Sequence, residues 1–521
     1  MGLTVNRGAA SAAANTQASL SERFPTFSAL AALFFIVASI RLIVVAIYGS
    51  PLPFFDEWDA GAGALYKPYL DGQLTIWTLL SRLNEHIIFT SRVLNLVTFE
   101  LAGEWNVRLQ MALNGVIYAG FATGLAAALL PLVPVADRLK LIAFSIVLFG
   151  PPLDTEIITM GMNAHFYFVI IFSVLGLRWC IGQAAFSRRW VLGLLMCGLA
   201  YLSMASGAVT PLVAALVGAL QMLRGGRRNS PAEWIGVVML VAFGAAMVAA
   251  VPDLPYHYRY KAHDALQLFS AVVEMASLPL TSVVGVVIVQ LPIVLLFIRT
   301  IRQPPAFDHR LWFVIGVAGW VAAQIIVVAH GRATDVLNSR YLAVIPMLVV
   351  LNYVALLSFT TSGKWLRRAS SAWVFVIVLA VMAVTNIATW RALDKMKGRL
   401  DVWQAHLTEY MSTHDLAKYA TVPYVELPYP DATALARIVD LPEIRATLPK
   451  EIRPMDADRS IIETRTRLGG RWGGTVLAIL DGVLRNASIF LALGIALLLL
   501  AIHRASDARA PVRRADDGTA A

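Results

Sequence analysis

The chain has 521 residues, of which 58% are hydrophobic and only 15% are charged, and its mean hydropathy is +0.67. An apolar share this far above that of an ordinary soluble domain predicts a polytopic integral membrane protein. The formal net charge of +10 comes mostly from arginines in short segments between apolar runs, a pattern that controls membrane topology, so we expect no nucleic-acid partner.

The chain begins with a polar stretch that leads into an apolar run. Residues 1–26 are rich in Ala, Ser and Thr and contain no apolar core, so they predict a cytoplasmic tail. The run at 27–49 is too long for the apolar part of a cleaved signal peptide. It therefore predicts a signal anchor that stays in the protein.

Twelve apolar runs come near the length of a bilayer-crossing helix, which is about 20 residues. They lie at residues 27–49, 106–130, 139–151, 164–181, 190–205, 207–223, 232–251, 279–299, 311–330, 339–359, 371–390 and 475–502. The sequence therefore predicts an all-α polytopic membrane protein with about twelve transmembrane helices.

The positions of Lys and Arg predict how these helices are oriented, because cytoplasmic loops carry an excess of both residues. Alternate loops contain Arg138 and Lys140, Arg188 and Arg189, Arg224, Arg227 and Arg228, Arg299, Arg302 and Arg310, Lys364, Arg367 and Arg368, and finally Arg504, Arg513 and Arg514. Both termini are thus predicted in the cytoplasm. The segments predicted outside are 50–105, 152–163, 252–278, 331–338 and 391–474.

Within the first outer segment, residues 87–102 are apolar but too short for a span and contain Arg92 in the middle. They predict an interfacial helix. Asn84 is a suitable N-cap for it, which would place Glu85 in the first helical turn. Aromatic residues before it favour a second amphipathic stretch at the headgroup boundary.

Residues 391–474 form the one long polar excursion after the first outer segment. Its first part has apolar residues at helical spacing, which predicts a helix that packs back on the membrane domain: Leu393, Met396, Leu400, Trp403, Leu407 and Tyr410. A stretch of this size without cysteines favours a helical lid over an independent domain. The last transmembrane helix is predicted at 475–503 and a cytoplasmic tail at 504–521.

Charged side chains collect on three of the predicted outer segments. They are Asp56, Glu57 and Asp59 with Asn84, Glu85 and His86; Asp154 and Glu156 with Asn163 and His165; and His330 and Arg332 with Ser339, Arg340 and Tyr341. A carboxylate near a membrane boundary can have a raised pKa and act as a general base toward a hydroxyl group. Arginines hold phosphate oxygens in pairs. Together these residues suggest transfer of a group from a phosphate carried on a lipid.

The order of these motifs resembles the bacterial GT-C glycosyltransferases, which use polyprenyl-phosphate sugars on the periplasmic side. The shared pattern is Asp-Glu-Trp-Asp at 56–59, Asn-Glu-His at 84–86, Gly-Arg at 331–332 and Ser-Arg-Tyr at 339–341. The similarity runs from about residue 27 through 359, and it implies a GT-C-like transmembrane catalytic domain over 27–390. It also implies a location in the bacterial inner membrane.

The resemblance implies a role for particular residues. The catalytic aspartate falls on Asp56, with Glu57 or Asp59 as neighbouring candidates, and the second acidic position on Asp154 or Glu156. Acceptor binding or support of the catalytic residues would fall on Asp59, Glu85, His86, Glu156 and His165. Contacts with the donor phosphate would fall on Arg332, Arg340, Tyr341 and Arg259. The family often has an arginine after Asn-Glu-His, where Ile87 stands here, so Arg82, Arg92 or Arg332 would have to replace it.

Cofactors are only weakly indicated. Cys180 and Cys197 lie in or at the end of apolar runs and no Cys/His cluster has metal-ligand spacing, so neither a disulfide framework nor a zinc site is expected. Paired acids of the GT-C type sometimes hold a divalent cation, for which Asp56 and Glu156 would be the ligands. The expected partners are the polyprenyl-phosphate sugar, a membrane lipid, and an envelope glycan, lipid or protein as acceptor.

Each of these residues also has a plain structural interpretation. Asp59 can cap a helix that begins near Trp58, and Arg332 and Arg340 can anchor helix ends at the interface. Arg41, inside the first span, is expected to snorkel. The histidines at outer helix ends, His257 among them, are expected at the membrane interface. A transporter or lipid-linked sugar flippase is the alternative function, and a non-catalytic scaffold for polysaccharide assembly is another.

Overall fold

The computed structural model describes residues 7–359 and 363–507, and within these ranges the secondary structure is helical, without a β-strand. The first helices in chain order are α1 (Arg7–Tyr48), α2 (Lys67–Leu70), α3 (Ile76–Leu79), α4 (Phe89–Ala102), α5 (Val107–Leu129), α6 (Arg138–Phe149), α7 (Thr155–Ile158), α8 (Ala164–Gly182), α9 (Arg188–Ser203), α10 (Val209–Leu223), α11 (Pro231–Ala249) and α12 (Ala265–Ala276).

The second half of the chain contains α13 (Val283–Arg302), α14 (Arg310–Gly331), α15 (Ile345–Phe359), α16 (Lys364–Val384), α17 (Trp390–Thr413), α18 (Leu416–Tyr419), α19 (Ala432–Val439), α20 (Pro442–Thr447), α21 (Ser460–Arg465), α22 (Gly473–Arg485) and α23 (Ala487–Asp507). Two π-helical stretches, Trp58–Tyr66 and Thr385–Thr389, precede α2 and α17. Short 3-10 helices lead into α10 and α15.

Ten helices among the described residues are long and apolar enough to cross a bilayer: Phe24–Tyr48, Val107–Leu132, Gly161–Gly182, Ala205–Leu223, Pro231–Ala249, Val283–Arg302, Arg310–Gly331, Ser339–Phe359, Lys364–Thr413 and Ala487–Asp507. The predicted class, an all-α polytopic membrane protein, is confirmed. Each of these ten helices overlaps one of the twelve apolar runs. The remaining two runs form α6 and α9, which have 12 and 16 residues and are therefore shorter than a usual span.

Helix α9 nevertheless connects opposite ends of the helix bundle. At one end, Arg227 after α10 donates to the carbonyl oxygens of Ile181 and Gln183, so the C-termini of α8 and α10 meet there. At the other end, the backbone N–H of Ala205, just after α9, donates to His86 Nδ1 at 3.4 Å. Helix α9 runs between these two ends.

Two predicted boundaries are wrong. The run at 475–502 contains two helices, α22 and α23, and only α23 is long enough to span. The run at 371–390 continues through the π-helical stretch into α17, so residues 364–413 form one helical segment of 50 residues. The apolar residues predicted at helical spacing from Leu393 to Tyr410 lie on α17, and all except the partly buried Met396 are buried.

The start of the predicted interfacial helix also differs. Helix α4 begins at Phe89, and its cap position is Ile88, with φ +51°. Asn84 does not cap it, because residues 83–86 close a tight turn in which the backbones of Leu83 and His86 exchange hydrogen bonds of 2.7 and 3.0 Å. Asn84 has φ +53° in that turn, a conformation that asparagine tolerates better than most residues. Glu85 is thus in the turn and outside any helix.

The prediction that Arg41 snorkels is wrong. Arg41 is fully buried within α1, and its guanidinium forms hydrogen bonds of 2.9 and 3.2 Å to the two carboxylate oxygens of Asp154. Tyr167 Oη also donates to Asp154 at 2.6 Å, and the guanidinium carbon lies 3.5 Å from the centre of the Tyr118 ring. An internal partner removes the need to reach the headgroups, because a paired charge is far less costly in a dry interior than a single one.

Two hydrophobic clusters hold the molecule together. The larger one fills the space between the long helices. The second joins the outer part of α1 and the first outer segment to the segment that follows α16, and it includes Phe54, Trp58, Trp105, Leu400 and Trp403. The residues predicted as a lid therefore share a core with the first outer segment.

Candidate active site

A cavity of about 600 Å³ lies at the end of the bundle where the first outer segment, α7, α8, the Pro255–Tyr260 turn, the Ser339–Val344 turn and α17 meet. The first outer segment, α7, the Pro255–Tyr260 turn and α17 belong to segments predicted outside the membrane, whereas α8 and the Ser339–Val344 turn begin predicted spans. Most of the predicted site residues line it: Asp56, Glu85, His86, Glu156, His165, Arg332, Arg340 and Tyr341. Glu57, Asp59 and Arg259 do not.

Asp56 presents a carboxylate to the cavity without a protein partner. Among the described residues it forms no hydrogen bond or ion pair, and it is exposed within the cavity. The preceding Phe55 has φ +51°, and its backbone N–H donates to the carbonyl of Pro428 at 2.7 Å. Partial burial raises the pKa of Asp56, and so do Asp59 and Glu85, while Arg340 opposes the rise. Asp56 is therefore placed and tuned as a general base would be.

Glu57 does not line the cavity, and its carboxylate binds backbone groups within the fold. It is buried, and its two carboxylate oxygens accept the backbone N–H groups of Phe54 at 3.1 Å and Met162 at 3.2 Å. Burial raises its pKa to about 8, although these N–H groups favour the ionised form. Glu57 ties the first outer segment to the start of α8, and so fixes the backbone next to Asp56.

Asp59 contacts the segment beyond α17. Its Oδ1 accepts a hydrogen bond of 2.9 Å from Tyr429 Oη, and its side chain is exposed. It does not cap a helix, since the helical stretch begins at Trp58 and no side-chain cap is formed there. Arg259 is also exposed, where it donates to Tyr260 Oη at 2.7 Å.

Glu85 is the centre of a charged cluster at the cavity wall. Arg332 donates to Glu85 at 2.7 Å, and His257 Nδ1 lies 3.0 Å from its other carboxylate oxygen. Burial alone would raise the pKa of Glu85, but the neighbouring basic groups and a backbone N–H hold it below its usual value. Burial lowers the pKa of His86 to about 4, so His86 is neutral at pH 7 and Arg332 is the cation that keeps Glu85 ionised.

A second acid–arginine pair lies nearby. Arg340 Nε is 3.5 Å from Glu156 Oε1, and it also donates to Asn338 Oδ1 at 3.3 Å. The backbone N–H of Glu156 donates to Ser339 Oγ at 3.0 Å, which fixes α7 against the turn that carries Arg340. Burial raises the pKa of Glu156, and Arg340 lowers it in part. The ion pair is long and its side chains are 35% and 28% exposed, so both groups remain accessible to a ligand.

The remaining cavity residues orient these pairs. Tyr341 Oη accepts from Arg332 Nε at 3.2 Å. The buried ring of His165 has Nδ1 3.1 Å from the Met162 carbonyl and 3.4 Å from Ser91 Oγ. The sequence did not indicate that His257 contacts Glu85 or that Asn338 binds Arg340. In the sequence, His257 resembles a histidine at the membrane interface and Asn338 resembles an ordinary turn residue. It also missed Arg399, which projects into the cavity from α17.

Two of the arginines considered as replacements at position 87 serve the fold. Arg82 donates to Glu85 O, Ala250 O and Tyr201 Oη. Arg92 is buried and donates to the carbonyl oxygens of Leu79, Ser81 and Ile87. Of the three candidates, Arg332 lines the cavity.

An apolar groove of about 350 Å³ adjoins the cavity. It runs between α8, α10, α11 and α14 and is lined by Val169, Ile170, Val209, Val248, Trp320, Val327, Val328 and Val344, among others. The residues that line both spaces are Glu85, His86, Phe166, Met204, Arg332, Arg340 and Tyr341. Both arginines therefore lie where the polar cavity meets the apolar groove.

Among the described residues no group of three or more His, Cys, Asp or Glu side chains is arranged to hold a metal ion. Asp56 and Glu156 line the same cavity, but Glu156 is already beside Arg340. A cation between them would need further ligands from a substrate phosphate. The divalent cation stays a prediction.

Searches against protein-family models, curated proteins and solved structures found no match to this chain. Its function has to be inferred from the cavity and its residues.

Proposed function

We propose that the protein is a membrane glycosyltransferase that moves one sugar from a polyprenyl-phosphate donor to an acceptor on the periplasmic side of the bacterial inner membrane. One observation carries the proposal: an apolar groove suited to a lipid chain opens on two arginines beside an unpaired carboxylate. Such a junction matches a ligand with a long apolar tail, an anionic headgroup and a reacting centre just beyond it.

The chemistry is a single displacement at the anomeric carbon. Asp56 removes the proton from an acceptor hydroxyl group, whose oxygen forms the new bond to the sugar. The bond from the sugar to the phosphate oxygen breaks, and the lipid phosphate leaves toward Arg332 and Arg340. A phosphate needs no strong general acid to leave, so one base suffices and the configuration at the anomeric carbon inverts.

A flippase or transporter is the alternative. It would move a charged headgroup along a path through the bundle, and such paths are marked by ionisable residues inside the membrane. The ion pair of Arg41 and Asp154 is fully buried, but it is closed by Tyr118 and Tyr167 and lines neither the cavity nor the groove. This arrangement favours the enzyme.

The test uses purified protein in lipid nanodiscs with a panel of labelled polyprenyl-phosphate sugars and an envelope extract as acceptor. Release of free polyprenyl phosphate and transfer of label are measured. We expect Asp56→Asn to lower the rate at least about 100-fold, the usual contribution of a general base. The matched control is Asp59→Asn, three residues away and outside the cavity, which should keep the rate. Full activity in folded Asp56→Asn would refute the proposed mechanism.

A further inference from the structure

Arg399 on α17 is a cation in the cavity wall that the proposed mechanism does not use. The other two arginines that line the cavity have acidic partners, Glu85 for Arg332 and Glu156 for Arg340. Arg399 is exposed and forms no ion pair or hydrogen bond within the part of the chain that the structure describes. An arginine with five free donors in a concave site is equipped to bind a carboxylate or a phosphate group.

The position of Arg399 separates it from the donor phosphate. Arg332 and Arg340 line both the cavity and the apolar groove, whereas Arg399 and Asp56 line the cavity alone. The headgroup of a lipid held in the groove therefore meets Arg332 and Arg340 first. In the proposed reaction the acceptor hydroxyl group has to reach Asp56, which lines the cavity but not the groove, as Arg399 does.

Aromatic packing joins the helix that carries Arg399 to the segment that carries Asp56. Trp403 follows Arg399 by four residues on α17, so the two side chains lie on the same face of the helix. The Trp403 ring packs against Phe55 with 5.2 Å between the ring centres, and Phe55 precedes Asp56. The contact also includes Phe54, whose ring centre is 5.8 Å from that of Trp403. Asp56 and Arg399 are thus carried by two elements that pack on each other.

We propose that Arg399 selects an anionic acceptor, a sugar that bears a carboxylate or phosphate group beside the hydroxyl that receives the transferred residue. The guanidinium binds the anion and holds the hydroxyl toward Asp56, which then removes its proton. This proposal rests on the proposed function for its place in the reaction. The binding of the anion itself does not depend on that reaction.

Binding is measured first, by titrating the full-length protein in nanodiscs with methyl β-glucuronide, glucose 6-phosphate or neutral methyl β-glucoside. We expect one or both anions to bind at least about tenfold more tightly than the neutral sugar, as one charge-assisted pair allows. Arg399→Ala should remove this preference. Lys395→Ala, a change of another exposed basic residue on α17 that does not line the cavity, should preserve it. Equal binding of all three sugars by the wild-type protein would overturn the proposal.

Two further measurements distinguish acceptor binding by Arg399 from donor binding and from the proposed transfer reaction. Binding of polyprenyl phosphate should be unchanged in Arg399→Ala and weakened in Arg332→Ala; loss in Arg399→Ala would assign Arg399 to the donor and overturn the proposal. In the transfer assay, Arg399→Ala should raise KM for an anionic acceptor about tenfold, while kcat changes little. If no donor is turned over but the anion preference still depends on Arg399, the proposed glycosyltransferase function fails and the anion site stands.

Discussion

The buried pair of Arg41 and Asp154 can be tested without knowing any substrate. The perturbations are Arg41→Met, Asp154→Asn and the two together. In the wild-type protein the side chains are 0% and 2% exposed, and both carboxylate oxygens accept from the guanidinium. Removal of one member of such a pair leaves a charge in a dry interior, which typically costs about 3–5 kcal/mol.

The two single changes are not equivalent. An arginine left alone stays charged, because its guanidinium does not lose its proton in proteins. A carboxylate left alone can be neutralised by taking up a proton. We therefore expect Asp154→Asn to cost about 4 kcal/mol in the free energy of unfolding and Arg41→Met to cost less, most clearly at low pH. The loss in the free energy of unfolding in the double variant should be about 2–3 kcal/mol smaller than the sum of the two single losses.

The assay is unfolding in mixed detergent micelles, followed by circular dichroism or by tryptophan fluorescence, with the coupling energy taken from the double-mutant cycle. A control cycle on the exposed pair Lys140 and Asp137, whose N–O distance is 2.7 Å, should give a coupling below about 1 kcal/mol. If Asp154→Asn costs less than about 1 kcal/mol, or if the single effects simply add, the pair contributes no more than a surface contact and the reasoning is wrong.

Two other predictions concern the backbone of the outer segments and the pH dependence of the reaction. Gly103 has φ +67°, and a Cβ added there would lie 2.6 Å from Gly470 Cα, so Gly103→Ala should lower the free energy of unfolding by about 2–4 kcal/mol. Gly72 has φ +70° but open space around it, so Gly72→Ala should cost only about 1 kcal/mol. Equal losses of stability in thermal unfolding would refute the close contact at Gly103. Because burial raises the pKa of Asp56, the fall of kcat/KM with decreasing pH should begin at a higher pH than for a free aspartate. Arg340 lowers the pKa of Asp56, so Arg340→Gln should shift this fall to a still higher pH. An unchanged pH profile would contradict the assignment of Asp56 as the general base.

The sequence predicts the membrane class well because a long apolar run has few alternatives to a helix in a bilayer. It does not separate a short helix in the bundle from a full span, as α6 and α9 show, since the hydropathy of the two is similar. The predicted helix boundaries are wrong where local backbone hydrogen bonds determine where a helix starts. At Asn84, the side chain suits a cap, but the backbone bonds between Leu83 and His86 close the chain into a turn before the helix can start.

The sequence pointed to most of the charged residues that line the cavity, but it did not indicate which of them pair with each other. The order of motifs brought Asp56, Glu156 and Arg340 together, and the structure places all three in one cavity. The neighbouring Glu57 has the same charge as Asp56, and only the backbone N–H groups that face it, one of them 105 positions away, show that it supports the fold. For Arg41, the partner lies 113 positions along the chain, which no local pattern can indicate.

Residues 391–474, the segment predicted as a lid, are attached to the first outer segment by several contacts. The backbone N–H of Trp105 donates to Thr447 O at 2.6 Å, Arg453 pairs with Glu104 at 2.7 Å, and the apolar residues of both segments form one core. Pro428 accepts the N–H of Phe55, whose positive φ sets the direction of the chain at Asp56. A positive φ at a bulky residue costs roughly 1–2 kcal/mol and persists only where the surroundings hold it. These contacts hold Phe55 in that conformation, so residues 391–474 form part of the structure that positions Asp56.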